Sequence, residues 1–153
     1  MIENFKPGGL AKFGLDHESV AATNPGCVYA SISGFGSGAG KDVPGYDLMV
    51  QAMSGLMSLT GDADGPPYRA GISVFDVMAG NHAAIGVLAA LHHRDRTGEG
   101  QHVEVNLLSS ALTGLVNHAR RTSPAVWCRP AWATRTRACS RTSRCPPPTT
   151  TSS

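Results

Sequence analysis

The chain has 153 residues, of which 41% are hydrophobic and 16% charged, a balance that suits one compact soluble domain and excludes a disordered chain. Its formal net charge of +2 conceals two unlike parts. Residues 1–119 set six basic residues against all eleven acidic ones, a balance of −5, and residues 120–153 carry seven arginines with no lysine and no acid, so the total by itself argues for no nucleic-acid partner.

In chain order, Gly14 breaks a first turn and Asp16 is placed to cap a short helix in LDHESVAATN, which Asn24-Pro25-Gly26 stops. CVYASIS, residues 27–33, is β-branched and aromatic-rich and predicts a buried strand feeding the loop GFGSGAGKDVPG. That loop fits neither phosphate-binding pattern. A Walker loop requires Gly where Phe35 stands and Ser or Thr where Asp42 stands, and the dinucleotide fingerprint requires Gly where Ala39 stands. Tyr46 to Leu59 predicts an amphipathic helix, with Leu48, Val50, Met53, Leu56 and Met57 packing on its apolar side. After a turn-rich loop at 61–68, GISVFD reads as a strand leading into a longer helix from Val77 to Arg96, capped by Gly98. QHVEVNLL alternates Val103, Val105 and Leu107 with His102, Glu104 and Asn106, which predicts a strand with one face buried, and SSALTGLVNHA restarts a helix. This alternation of elements predicts an α/β layered fold with a mainly parallel sheet.

The tail beyond residue 119 has no helical or strand periodicity and is expected to be irregular. It reads either as a basic nucleic-acid arm or as a frameshifted segment, and the second reading has internal support. Codons for Ala131 to Ser153 exist whose shifted frame spells MGNAHPSLFPYEPLPTADDDLI, a peptide of ordinary protein character. Cys27 lies in an apolar run, and Cys128, Cys139 and Cys145 have spacings that fit neither a CxxC pair nor a common zinc site, so neither a disulfide framework nor a metal is expected. The apolar run Ala83 to Leu91 is too short to cross a bilayer, and MIENFKPGG lacks the layout of a signal peptide, so a cytoplasmic protein without membrane contact is expected.

Taken residue by residue, Asp76 reads as a helix N-cap, Lys6 and Lys12 as surface lysines, Phe5 as a core residue, and His82, His92, His93, His102 and His118 as surface or helix-packing groups. Five motifs in order add a second reading: ENFKPG at 3–8, SISGFG at 31–36, PGYDLMVQAMSGLMSLTG at 44–61, DGPPYRAGISVFD at 64–76, and LAALHHRDRTGEGQHVEVNLL at 88–108. Together they resemble the class III CoA-transferase (CaiB/BaiF) family, which includes formyl-CoA transferase, succinyl-CoA-dependent transferases and the α-methylacyl-CoA racemases. The resemblance covers nearly all of residues 2–119. It implies a partial Rossmann-like CoA-transferase domain over 1–119, followed by the separate tail over 120–153, with the family's first strand and helix and its substrate domain lacking.

The resemblance further implies a carboxylate nucleophile at Asp76 and coenzyme A, as co-substrate, in contact with Asn4, Phe5, Lys6, Lys12, Val43, Pro44, Gly45 and Tyr46. Partners would be an acyl-CoA and a carboxylic acid, and the full-length assembly would be an interlocked homodimer, leaving this fragment inactive. A carboxylate at a helix start is expected to be held ionised by free backbone N–H groups and the helix dipole. The racemase branch is similar here but carries a His base at position 46, where this chain has Tyr, a poor base at neutral pH. NLLSSAL at 106–112 resembles the succinyl-CoA-using members. An α-methylacyl-CoA racemase and a non-catalytic, basic-tailed binding protein remain as alternatives.

Overall fold

Two segments that alternate polar with apolar side chains build the centre of the fold. The computed structural model describes residues 1–62 and 64–116; the basic tail expected over 120–153, and His118, lie outside the described residues. Three strands, β1 (Ile2–Glu3), β2 (Tyr29–Ser33) and β3 (His102–Asn106), form a parallel sheet in that order. The β2–β3 register sets Tyr29, Ser31 and Ser33 beside His102, Glu104 and Asn106 on one face, and Ala30 and Ile32 beside Val103 and Val105 on the other.

The apolar face is covered from one side. The helices α1 (His17–Thr23), α2 (Asp47–Met53), α3 (Leu56–Leu59), α4 (Val74–Thr97) and α5 (Leu107–Gly114) follow in chain order, and α4 and α5 pack on this face. Val50, Phe75, Ala79, Leu107 and Ala111 form the buried cluster there, joined by Ile32, Val105 and Met78. His82 Nδ1 and Ser110 Oγ lie 2.9 Å apart and tie α4 to α5, as a helix-packing histidine would. The polar face holds the start of α1. There the Tyr29 hydroxyl donates to the Leu15 carbonyl at 2.7 Å, and the His17 ring stacks on His102 at 4.5 Å.

The α/β class with a parallel sheet is observed, and several boundaries differ from expectation. The helix expected over 46–59 divides into α2 and α3 because Gly55 adopts φ +85°, a left-handed conformation that ends one helix and starts the next. GISVFD, residues 71–76, forms no strand. Val74, Phe75 and Asp76 instead join α4, which begins three residues earlier than the expected Val77, because the helical start buries Phe75 in the core. β3 ends at Asn106, since its side chain accepts from the Ser109 amide at 2.8 Å and opens α5 at Leu107. β1, two residues long, carried no periodic signal.

At 24 residues, α4 is long and apolar enough to cross a bilayer by length and composition, a wider apolar span than Ala83–Leu91 alone suggests. Its Phe75, Ala79, Ala83 and Ala90 are buried within the fold, while Val77, Ile85 and Leu88 are exposed. Phe75, 3% exposed, joins α4 to the Val50 and Leu107 packing. Phe75→Ala is expected to cost about 3–5 kcal/mol, read as a lower urea midpoint; a loss under about 1 kcal/mol would contradict the packing described.

Candidate active site

All three strands deliver their carboxyl ends to one place. Asn4 to Pro7 follow β1, Ser33 and Gly34 close β2, and Leu107 opens α5 directly after β3; these residues line a cleft of about 500 Å³. Open parallel sheets bind ligands at this end, where loops converge and helix N-termini point inward. The opposite wall is Lys41 to Tyr46, and Asp76 completes the lining from the first turn of α4.

The glycines of the long loop let the backbone fold back on itself. A Cβ at Gly34 would lie 2.2 Å from the Gly45 Cα, and a Cβ at Gly45 would lie 2.4 Å from the Gly34 Cα, so neither position admits a side chain without displacing main chain. The Leu108 amide donates to the Gly34 carbonyl at 3.1 Å, and the Ser37 amide and hydroxyl donate to the Glu104 carboxylate at 2.9 and 3.1 Å, fixing the loop to α5 and β3. Across the cleft mouth, Lys6 Nζ pairs with Asp42 at 2.8 Å. The Lys6 ammonium holds the Asp42 carboxyl below the usual carboxylate range. Both groups are exposed, so an incoming anion competes for Lys6 with a partner that is easily displaced.

The structure therefore gathers Asn4, Phe5, Lys6, Val43, Pro44, Gly45, Tyr46 and Asp76 around one cleft, with Phe5 exposed on its lining rather than in the core. Lys12 is not among the residues lining it. It sits in a 3-10 turn, Ala11–Phe13, with Nζ 4.8 Å over the Phe13 ring.

Asp76 differs from its expected role as helix cap. It is the third residue of α4, behind Ser73 at the N-cap, and the helix end is closed by a residue from another helix. The buried Asp47 Oδ1 accepts from the Phe75 amide at 2.7 Å and the Asp76 amide at 3.3 Å. Its other oxygen accepts from Gln51 Nε2 at 2.5 Å. Gln51 in turn donates to the Ile72 carbonyl at 3.3 Å and accepts from the Ala70 amide at 2.8 Å, so the approach to α4 is fixed as well. Sequence reasoning missed Asp47 and Gln51. Their i,i+4 spacing on α2 was visible, but the partners of Asp47 on α4 lie 28 and 29 residues away.

The expected stabilisation of the Asp76 anion by its own helix end is reversed. Although Asp76 is an exposed residue, its carboxyl loses hydration against the cleft, and this, followed by the nearby Asp47 charge, pushes it above its ordinary value of 3.8, while Ser73 pulls the other way.

Comparison with known proteins gives a consistent picture. The family model described as CoA-transferase family III matches residues 1–137. The chain is 49% identical over 118 residues to a succinate–glutarate CoA-transferase of Agrobacterium fabrum, covering 76% of this chain and 30% of that protein. It is 45% identical over 112 residues to a formyl-CoA:oxalate CoA-transferase of Streptomyces avermitilis, covering 73% of this chain and 27% of that protein. Among solved structures, a CAIB/BAIF family protein from Brucella suis superposes with a TM-score of 0.74 at 45% identity, over 78% of this chain and 32% of that one. The chain thus spans about 30% of the length of the curated relatives it matches.

A raised carboxyl makes a pH-dependent contribution of definite sign. The contribution is fully present below the unfolded value of 3.8, where Asp76 is protonated in both states, and is lost as pH rises through the higher folded value. Asp76→Asn is expected to raise the urea midpoint at pH 7, by less than about 1 kcal/mol for so exposed a group, and to match the parent near pH 3. A variant less stable than the parent at pH 7 would contradict this direction.

Proposed function

Because the chain belongs to CoA-transferase family III, we propose that it carries the nucleophile and one wall of the CoA site of an enzyme that moves CoA from an acyl thioester to a carboxylic acid. The observation that carries the proposal is Asp76, exposed in a cleft at the carboxyl ends of the strands and lined by Asn4, Phe5, Lys6 and Val43 to Tyr46. In this reading Lys6 receives a CoA phosphate in exchange for Asp42, and Phe5 gives an apolar surface to the pantetheine or adenine portion. Lys12 contributes a more distant positive charge.

The chemistry needs no oxidant and no net proton. An Asp76 carboxylate oxygen attacks the thioester carbonyl and expels CoA thiolate, leaving a mixed aspartyl–acyl anhydride. The thiolate attacks the aspartyl carbonyl and expels the donor acid as carboxylate, leaving an aspartyl-CoA thioester. The acceptor carboxylate attacks that carbonyl and expels CoA thiolate, and the thiolate then attacks the acceptor carbonyl of the new anhydride and releases Asp76. A succinyl-CoA donor is favoured by NLLSSAL at 106–112 and by the relative that acts on succinate and glutarate. Tyr46 at the cleft, in place of a His base, disfavours the racemase reading.

Turnover in this reading requires the remainder of a full-length family chain and its interlocked dimer, since this chain spans about 30% of its relatives. The test is a chimera in which this chain's matched 118 residues replace those of the Agrobacterium fabrum relative. The chimera is expected to exchange labelled succinate into succinyl-CoA. Asp76→Ala in it should lower that exchange by about a thousandfold or more, and the 153-residue chain alone should show none. Exchange that persists in the Asp76→Ala chimera would overturn the assignment of the nucleophile.

A further inference from the structure

A helix presents unsatisfied amides in its first turn, and a carboxylate in that turn is ordinarily drawn back to bind them. In α4 those amides are taken. Asp47 on α2 accepts from Phe75 and Asp76, and Ser73 at the N-cap makes no side-chain cap bond. We propose that Asp47 is a positioning residue for Asp76: by taking up the amides at the start of α4 with a buried carboxylate, it keeps the Asp76 side chain on the cleft lining, beside Ser73, and sets its distance from the loop that forms the opposite wall. This inference rests on the reading of Asp76 as the nucleophile.

Three features of the structure support it. Asp47 follows Tyr46 directly, so the residue that caps α4 is joined to the last residue of the Val43–Tyr46 wall. Asp47 is itself held by Gln51, which is 1% exposed and also bonded to the backbone of Ala70 and Ile72, so the segment entering α4 moves with α2. The arrangement also places a second negative charge near Asp76, and a nearby like charge makes a carboxylate more basic and a stronger nucleophile. A cap supplied by a neutral side chain would hold the helix equally well without this second effect.

The test uses the 153-residue chain labelled for NMR, with no CoA ester present. Asp47→Asn keeps an oxygen for the two amides and removes the charge, so Asp76 should titrate at lower pH than in the parent while the Phe75 and Asp76 amides stay protected. Asp47→Ala removes the oxygen, so exchange of those two amides with solvent should rise about five- to tenfold. Exchange unchanged in Asp47→Ala would overturn the proposal, and an Asp76 titration unchanged in Asp47→Asn would overturn its electrostatic part. If Asp47→Ala does not fold, Asp47→Ser, whose shorter side chain withdraws the oxygen from the two amides, is read by the same exchange. Because neither measurement involves catalysis, failure of Asp76 as nucleophile in the chimera and failure of Asp47 as its positioning residue are read separately.

Discussion

The site depends on one buried carboxylate. Asp47 bonds two amides of α4 and the side chain of Gln51, and through Gln51 reaches the backbone at Ala70 and Ile72. Without it, two N–H groups at a helix start would be left without their side-chain acceptor, at a cost on the order of 1–3 kcal/mol. The larger consequence is geometric. α2 carries the end of one cleft wall and α4 carries Asp76, and this bond network fixes one to the other. The core then extends the same junction downward, where Val50 of α2 and Phe75 and Ala79 of α4 pack with Leu107 and Ala111 of α5.

The glycine-rich loop is built for close backbone approach. GFGSGAGK has the composition of a phosphate loop and the spacing of none, and the structure gives its glycines a different purpose. Gly34 and Gly45 lie so near each other that neither tolerates a Cβ, which closes the loop at its base and brings Val43 to Tyr46 opposite Asn4 to Lys6. Positive charge enters the cleft on side chains. Lys6 and Lys41 line it together with Asp42 and Asp76, so the formal charges of the lining cancel, within a body that is acidic as a whole.

Much of this was legible in the sequence wherever a signal is local. Val103 and Val105 alternating with His102, Glu104 and Asn106 define β3 and its buried face, and Asn24-Pro25-Gly26 ends α1. The family resemblance implied one site for Asn4 to Lys6, Val43 to Tyr46 and Asp76, and the fold brings them to one cleft. What failed depends on tertiary partners. GISVFD has strand composition, yet Val74 to Asp76 are helical because Phe75 buries in the core and Asp47 closes the helix end. Lys12 carries the right charge on an element outside the cleft lining, and the pairing of Lys6 with Asp42 spans residues that no local rule connects. Only a structure shows that the Asp76 carboxyl loses hydration and has Asp47 beside it, so the direction of its shift was out of reach of sequence reasoning.

In the proposed reaction Asp76 becomes covalently bonded during CoA transfer. This covalent step is tested most directly by incubating the chimera with succinyl-CoA, quenching with hydroxylamine and mapping the product by peptide mass spectrometry. The account predicts a hydroxamate on the peptide containing Asp76, formed only when the thioester is present. A hydroxamate on another carboxylate, or none while CoA exchange proceeds at the normal rate, would contradict it.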